Sequence, residues 1–556
     1  MSIFTSRDRG PGRLPWPAGW MAALWVFTLV LLATGWWLAG SGAPAGPPPA
    51  VAAVQDTFGG VEPQLPLDRT DADTVAPSGA GLGDTAAPVL VPDTAQAGAP
   101  ATAGEAARQA RRDLDTPLGE RLISILGIVV MIGIAWALSV NRGAFPTRVV
   151  AWGVGLQLLF AVLILRTAPG EAFFALVNDA FIQLLGYTQD GARFIFGNLV
   201  DNNVPVGVPV GDPPTSAPIQ PEVEPQRYAA TGSYFAFTVL PTIIFFSSLM
   251  TVLYHLKVMQ WMVKGVAWVM QRTMRTSGAE TLSASGNIFV GQTEAPLMIK
   301  PFVERMTMSE LHCIMTGGFA TVAGGVMAAY VGMLVTFFPE IAGHLLAASV
   351  MSAPAAILIS KVMYPEDSSP ETTGSLEVDV PSPDVNVIDA ATRGAGEGLQ
   401  LALNVGAMLL AFIALIAMIN AIVGWAGGLM GMPHLSLELL LGWIMAPIAW
   451  VMGVPWSDAV TIGSLLGVKT VVNEFVAYLQ LADLLQRGAP LDPRSVVIAT
   501  YALAGFANFS SIAIQIGGIG GIAPSRRSDL SRIGFRAMIG GTLAAFMTAT
   551  VAGAIL

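Results

Sequence analysis

Gly286-Asn-Ile-Phe-Val-Gly-Gln-Thr-Glu-Ala-Pro-Leu297 sets two amides, a hydroxyl and a carboxylate among glycines and a proline, inside a strongly apolar chain. A carboxylate at membrane depth costs roughly 2.5–3.5 kcal/mol even on a lenient insertion scale. The glycine and the proline beside it argue against a plain spanning helix. Polar groups on broken backbone between long apolar segments line solute cavities in membrane proteins. The stretch therefore predicts a re-entrant element facing a solute.

The surroundings support that reading. The chain has 556 residues, 53% hydrophobic and 12% charged. Soluble domains carry about 25% charged residues, so the composition is that of an all-α polytopic membrane protein. The net charge of −10 is concentrated in Asp201–Glu224 and Glu366–Asp389, which read as solvated loops. Nothing forms the basic patch that nucleic-acid binding needs. The single cysteine, Cys313, excludes an intrachain disulfide and a multi-cysteine metal site and reads as packing.

Residues 1–39 read as a retained N-terminal transmembrane helix, because the apolar run is longer than a signal-peptide core. Residues 40–117, rich in Ala, Pro and Gly, read as a disordered linker. Residues 118–256 hold scaffold helices and an interfacial helix. Residues 257–364 form a first repeat, 365–395 an acidic cytoplasmic loop, 396–430 a scaffold helix, and 431–556 a second repeat. Apolar spans fall at about 119–140, 148–167, 232–256, 307–338, 341–364, 396–428, 495–523 and 533–556. Cationic clusters at Arg142 and Arg148, Lys257–Arg275, Lys361 and Arg393, and Arg526–Arg536 place the N-terminus in the cytoplasm and the C-terminus outside by the positive-inside rule.

The halves echo each other. In each, an amphipathic stretch precedes a Gly-broken hairpin (281–300 and 456–483), a Gly-interrupted helix and a final helix. Gly318-Phe-Ala-Thr321 matches Gly505-Phe-Ala-Asn508, and the hairpins carry Glu294 and Glu474. One span between the halves leaves them in opposite orientations. Inverted repeats with two re-entrant hairpins and two broken helices are the architecture of a secondary transporter, with its site near the midplane.

The run 286–297 resembles the first hairpin of the concentrative nucleoside transporter family, the sodium/nucleoside symporters. Met306-Thr-Met-Ser-Glu-Leu-His312, Met315-Thr-Gly-Gly-Phe-Ala-Thr-Val-Ala-Gly324, Val472-Asn-Glu-Phe-Val-Ala-Tyr478 and Gly505-Phe-Ala-Asn-Phe-Ser-Ser511 continue the resemblance in order. It covers about 119–556. It implies that Gln292, Thr293, Glu294 and Val326 face the nucleobase. It implies that Glu474, Asn508 and Ser511 hold the ribose hydroxyls and that Phe506 packs on the nucleoside. It implies a sodium site from the side chains of Asn287 and Thr321 and the carbonyls of Val290 and Val322, with sodium co-transported. It also implies a homotrimer in a bacterial-type inner membrane.

The chemistry agrees. Carboxylates accept from ribose hydroxyls, amides both donate and accept, and an aromatic ring stacks. Oxygen ligands from amide, hydroxyl and carbonyl suit a hard cation. Alternating access by sodium symport is the leading function and an enzyme is not expected. A proton-coupled carrier using Glu294 or Glu474 is the first alternative. A membrane-embedded hydrolase is a distant one, since no nucleophile elbow, phosphate loop or His-metal motif is present. Lys469 and His312 receive no functional role; His312 reads as an interface or packing residue.

Overall fold

The computed structural model describes residues 117–200, 203–208, 222–230, 235–372 and 384–556. The expected first helix and all but the last residue of the linker lie outside them. The described chain is helical apart from one antiparallel ribbon, Asn203–Val208 with Glu222–Ala230.

In chain order the helices longer than one turn are α1 Leu118–Ala137, α2 Thr147–Arg166, α3 Ala168–Phe196, α4 Phe235–His255 and α5 Val258–Met274. Then come α6 Gly278–Gly286, α7 Met308–Ala320, α8 Gly324–Leu334 and α9 Ile341–Met363. The remainder are α10 Val387–Leu429, α11 Leu437–Val451, α12 Trp456–Val471, α13 Glu474–Gln486, α14 Pro493–Leu503, α15 Phe509–Ile522 and α16 Arg527–Ile555. Seven stretches among the described residues are long and apolar enough to cross a membrane: α1, α2, α4, α7 with α8, α9, α10, and Pro524–Ile555 containing α16.

Local sequence fixes where these helices start and stop. Ser277 with Glu280, and Thr307 with Glu310, form capping boxes that satisfy the first free N–H groups of α6 and α7. The expected span 495–523 is two helices. Residue 504 leaves the helical region, Gly505 takes a φ of +156°, and Asn508 is extended and caps α15 through its own side chain. The break between α7 and α8 is built the same way, from extended Thr321 and Ala323. Asn473, also extended, divides α12 from α13 and caps α13. α11 and α12 fold back on each other at 118°. A Cβ at Gly463 would stand 2.7 Å from the Gly442 carbonyl oxygen, so the two backbones meet through small residues, as helices packed in lipid do.

Two buried cations tie helices together. The Arg494 guanidinium donates to the carbonyls of Gly453 (2.9 Å) and Gly553 (2.7 Å) and to the Ser124 hydroxyl (3.0 Å), joining α14 to α1 and α16. The Lys361 ammonium lies 2.7 Å from the Glu280 carboxylate and donates to Ser309, linking α9 to α6 and α7. Lys361 is therefore consumed by a buried partner rather than displayed at a loop end as the charge pattern suggested.

Three residues of the acidic stretch, Glu366, Thr372 and Asp384, are packed rather than solvated. Glu366 accepts from Thr307 and Lys361, and Thr372 caps the start of α6 by accepting from the N–H groups of Gly278 and Ala279. Asp384 is buried against Arg393 at 2.7 Å. α10 begins at Val387, nine residues before the apolar pattern starts. Asn386 caps it, and its first turns carry charges that mask the helix in a hydropathy reading.

Candidate functional site

The first tip follows α6. Gly286 and Asn287 end that helix, the backbone turns through 288–294, and a 3-10 turn at Ala295–Ile299 brings the chain back. The two arms touch: a Cβ at Gly286 would meet Met298 Sδ at 3.0 Å and Ala295 Cβ at 3.5 Å. The tip is seated on glycines of neighbouring helices. Gly318 of α7 lies under Gln292, where an added Cβ would fall 2.9 Å from Gln292 Cβ. Gly518 of α15 lies under Thr293, 2.6 Å from its methyl carbon by the same construction. Thr293 donates to Glu294 (3.0 Å), whose carboxylate is exposed and lies against Gly291.

The second element is built around Glu474, the first residue of α13. Its carboxylate is buried and accepts from the Tyr330 hydroxyl (3.1 Å) and from Asn508 Nδ2 (2.8 Å). Asn508 is held in turn, since its Oδ1 accepts from the Ser511 N–H (2.9 Å) and the Ser510 hydroxyl (2.7 Å). The N-termini of α13 and α15 both lie at this carboxylate, and helix N-termini favour negative charge. Lys469, without a sequence-based role, donates to the Ala502 carbonyl at 2.7 Å. That bond closes the C-terminal end of α14.

A cleft of ≈160 Å³ lies between these elements. At the ≈30 Å³ that each water occupies in the liquid, that is room for about five waters, more space than a lone ion needs. Gln292, Thr293, Glu294, Val326, Glu474, Phe506, Asn508 and Ser511 all line it. The structure thus brings together every residue singled out for substrate. The opposite wall is apolar: Leu401, Val405, Met408 and Leu409 of α10.

The residues singled out for sodium form a separate group beside the tip. Asn287 is fully buried, and neither its amide oxygen nor its amide nitrogen has a hydrogen-bond partner among the described residues. A Cβ at Gly317 would stand 3.2 Å from Asn287 Nδ2, and Thr321 donates from its hydroxyl to the Gly317 carbonyl (3.0 Å). The Gly324 N–H donates to the Phe289 carbonyl (3.1 Å), which sets the tip beside the α7–α8 break containing Val322; Val290 follows Phe289 in the tip. Asn287 and Thr321 each sit at a helix C-terminus, the end that favours a cation.

Three family models match: Na+ dependent nucleoside transporter N-terminus over residues 126–199, "Nucleoside recognition" gate over 236–337, and Na+ dependent nucleoside transporter C-terminus over 344–553. An uncharacterized transporter from Haemophilus influenzae is 44% identical over 440 residues, covering 78% of this chain and 97% of the relative. The chain belongs to the Na+ dependent nucleoside transporter family. It is a membrane transporter and not an enzyme, which disposes of the hydrolase alternative. Human sodium/nucleoside cotransporter 1 is 39% identical over 447 residues, or 78% of this chain and 64% of that protein. This chain thus spans about three fifths of the mammalian transporters' length. A structure of CNTnw in an inward-facing, substrate-bound state is 42% identical, with a TM-score of 0.69 over 78% of this chain and 97% of that one. A CNTnw double variant in an outward-facing state gives 42% and 0.71, over 79% and 98%.

Several residues in or behind this transporter's cleft were not singled out from sequence. Tyr330 donates to Glu474, Asn473 lines the cleft beside it, and Gln515 donates to Gln292 (3.0 Å). The available signals were a lone glutamine in the apolar run 509–522 and an asparagine next to the hairpin glutamate. The apolar α10 wall carries no such signal. His312 is buried, bonded to Ser360 (2.7 Å) and stacked on Tyr364, away from the cleft, in keeping with packing.

Proposed function

We propose that this chain carries nucleosides across a membrane by sodium symport, through alternating access. The observation that carries the reading is the convergence of eight residues, from the turn after α6, the start of α13 and the α7–α8 and α14–α15 breaks with the helices that follow them, on one cleft. The ribose would donate its hydroxyls to Glu474 and meet Asn508 and Ser511. The base would lie against Phe506 and Val326 within reach of Gln292, Thr293 and Glu294.

Sodium would bind at Asn287 and Thr321, with the Val290 and Val322 carbonyls. The unpaired buried amide and the two helix C-termini supply what a hard cation needs. Because Asn287 and Gln292 share one short tip, filling the ion site would set the position of the base-binding residues. The hairpins and broken helices would move as a unit past α10 and the other scaffold helices. One ion suffices energetically: about 100 mV supplies ~2.3 kcal/mol per charge. A tenfold sodium gradient adds ~1.4 kcal/mol, for roughly 500-fold accumulation together. The same reading carries a homotrimer in the bacterial inner membrane with its C-terminus outside.

The test is uptake of labelled nucleosides by proteoliposomes, with sodium replaced by choline at fixed pH. Uptake should collapse without sodium. Full uptake in choline that follows an imposed proton gradient would replace sodium by the proton as driving ion.

A further inference from the structure

We infer that Gln515 is a positioning residue that fixes which end of the Gln292 amide faces the nucleoside, making that part of the base subsite a hydrogen-bond donor. This rests on the reading above in which Gln292 faces the base.

The two ends of a glutamine amide look alike, so their assignment must come from partners of fixed polarity. Gln515 has one. Its Nε2 lies 3.1 Å from the main-chain carbonyl oxygen of Met315, which can only accept. The nitrogen end of Gln515 is therefore settled. The same Nε2 lies 3.0 Å from the end of the Gln292 side chain, and only an oxygen can accept there. Gln292 thus spends its oxygen on Gln515 and keeps its two N–H donors for the cleft that it lines. Turning Gln515 over would set its own oxygen against the Met315 carbonyl, two acceptors face to face.

The seat enforces the pairing. Both glutamines are buried, and a Cβ at Gly318 would stand 2.8 Å from Gln515 Nε2 and 2.9 Å from Gln292 Cβ. Gln515 does not line the cleft, so it acts only through Gln292.

A donor at this position favours a base that presents a carbonyl oxygen over one that presents an amino group at the same ring atom. Uridine and cytidine differ in this way at one ring carbon, and inosine and adenosine at another. The expected preference is about tenfold for the carbonyl member, the worth of one matched against one mismatched buried hydrogen bond.

The experiment measures kcat/KM for both pairs in proteoliposomes holding the full chain, for wild type, Gln515→Leu, Gln515→Asn and Gln292→Leu. The wild type should prefer the carbonyl member in at least one pair. Gln515→Leu should bring that ratio to within about twofold of one by freeing the Gln292 amide to turn. Gln515→Asn keeps a polar group at the buried position but is too short to span both partners, and should do the same. A purely structural Gln515 would lower uptake of all four nucleosides together and leave the ratio intact, which overturns the inference. A ratio lost in Gln292→Leu but kept in both Gln515 variants overturns the positioning role alone. A ratio untouched by Gln292→Leu removes the base-facing reading beneath it. Wild-type preference for the amino members overturns the inference even if no Gln515 variant folds.

Discussion

If the proposed function holds, Glu474→Gln isolates the ribose side of the cleft, and the geometry fixes how the new amide must sit. Asn508 cannot turn, because its Oδ1 is engaged by the Ser511 N–H and the Ser510 hydroxyl. Its Nδ2 therefore still needs an acceptor, and the substituted side chain must keep its oxygen there. The new NH2 group then faces Tyr330, whose hydroxyl can rotate to accept. The buried Tyr330 O–H then loses its acceptor, a cost of about 1–3 kcal/mol in stability, so the variant should be somewhat destabilised but folded. What changes is the strength of each bond to the former carboxylate. Hydrogen bonds to a charged group contribute about 1.5–3 kcal/mol against about 1 kcal/mol for neutral ones. With one or two ribose hydroxyls involved, the loss is about 1–3 kcal/mol, or roughly 5- to 150-fold in kcat/KM. The assay is sodium-driven uptake in proteoliposomes, alongside thermal unfolding of the purified variant. A 2′,3′-dideoxynucleoside serves as the control: lacking both hydroxyls, it should be carried equally by wild type and variant. A folded variant with normal nucleoside uptake would refute the argument. So would an equal loss for the dideoxy substrate.

Three further outcomes are expected. Asn287→Ala should raise the sodium concentration for half-maximal uptake about tenfold, the effect of one lost ligand worth ~1.4 kcal/mol, with nucleoside affinity at saturating sodium little changed. Gly291→Ala places a Cβ 2.2 Å from Glu294 Oε2, so the flexible carboxylate must swing away. KM should rise several-fold while the unfolding temperature stays put, and a large stability loss would show that the backbone moves instead. Lys361→Met strands the Glu280 carboxylate and should destabilise by about 3–5 kcal/mol, while Lys361→Met with Glu280→Gln should recover most of it. Equal thermal stability of the single and double variants would contradict that account.

The sequence was most readable where apolar runs are interrupted. Gly291, Pro296 and Glu294 marked the first tip, and Gly505 with Asn508 marked the second broken helix, because each violates the pattern of a spanning segment. Positions whose role depends on a distant partner were harder. Gln515 looks like a stray polar residue in an apolar helix until α7 brings Met315 and Gln292 to it. Tyr330 gives no local sign that it meets Glu474, 144 residues away. The α10 wall was invisible because leucines, valines and methionines have the same signature against lipid, core or solute. The early start of α10 and the docking of Glu366 and Thr372 on α6 and α7 were missed for the opposite reason: charges that read as solvated, Asp384 and Glu366, are paired with Arg393 and Lys361.

The apolar wall of the cleft bears on speed. Leu401, Val405, Met408 and Leu409 offer no side-chain donor or acceptor, so in the proposed mechanism a moving element and its cargo would break no directional bonds to these side chains. Only dispersion contacts change partners, each worth about 0.1–0.2 kcal/mol, so the path along this face has ripples rather than steps. A polar residue introduced at Met408 or Val405 would create a foothold. It would tighten one intermediate position, slow turnover, and leave equilibrium accumulation untouched, because a gradient fixes the end point of transport and the wall sets only the friction along the way.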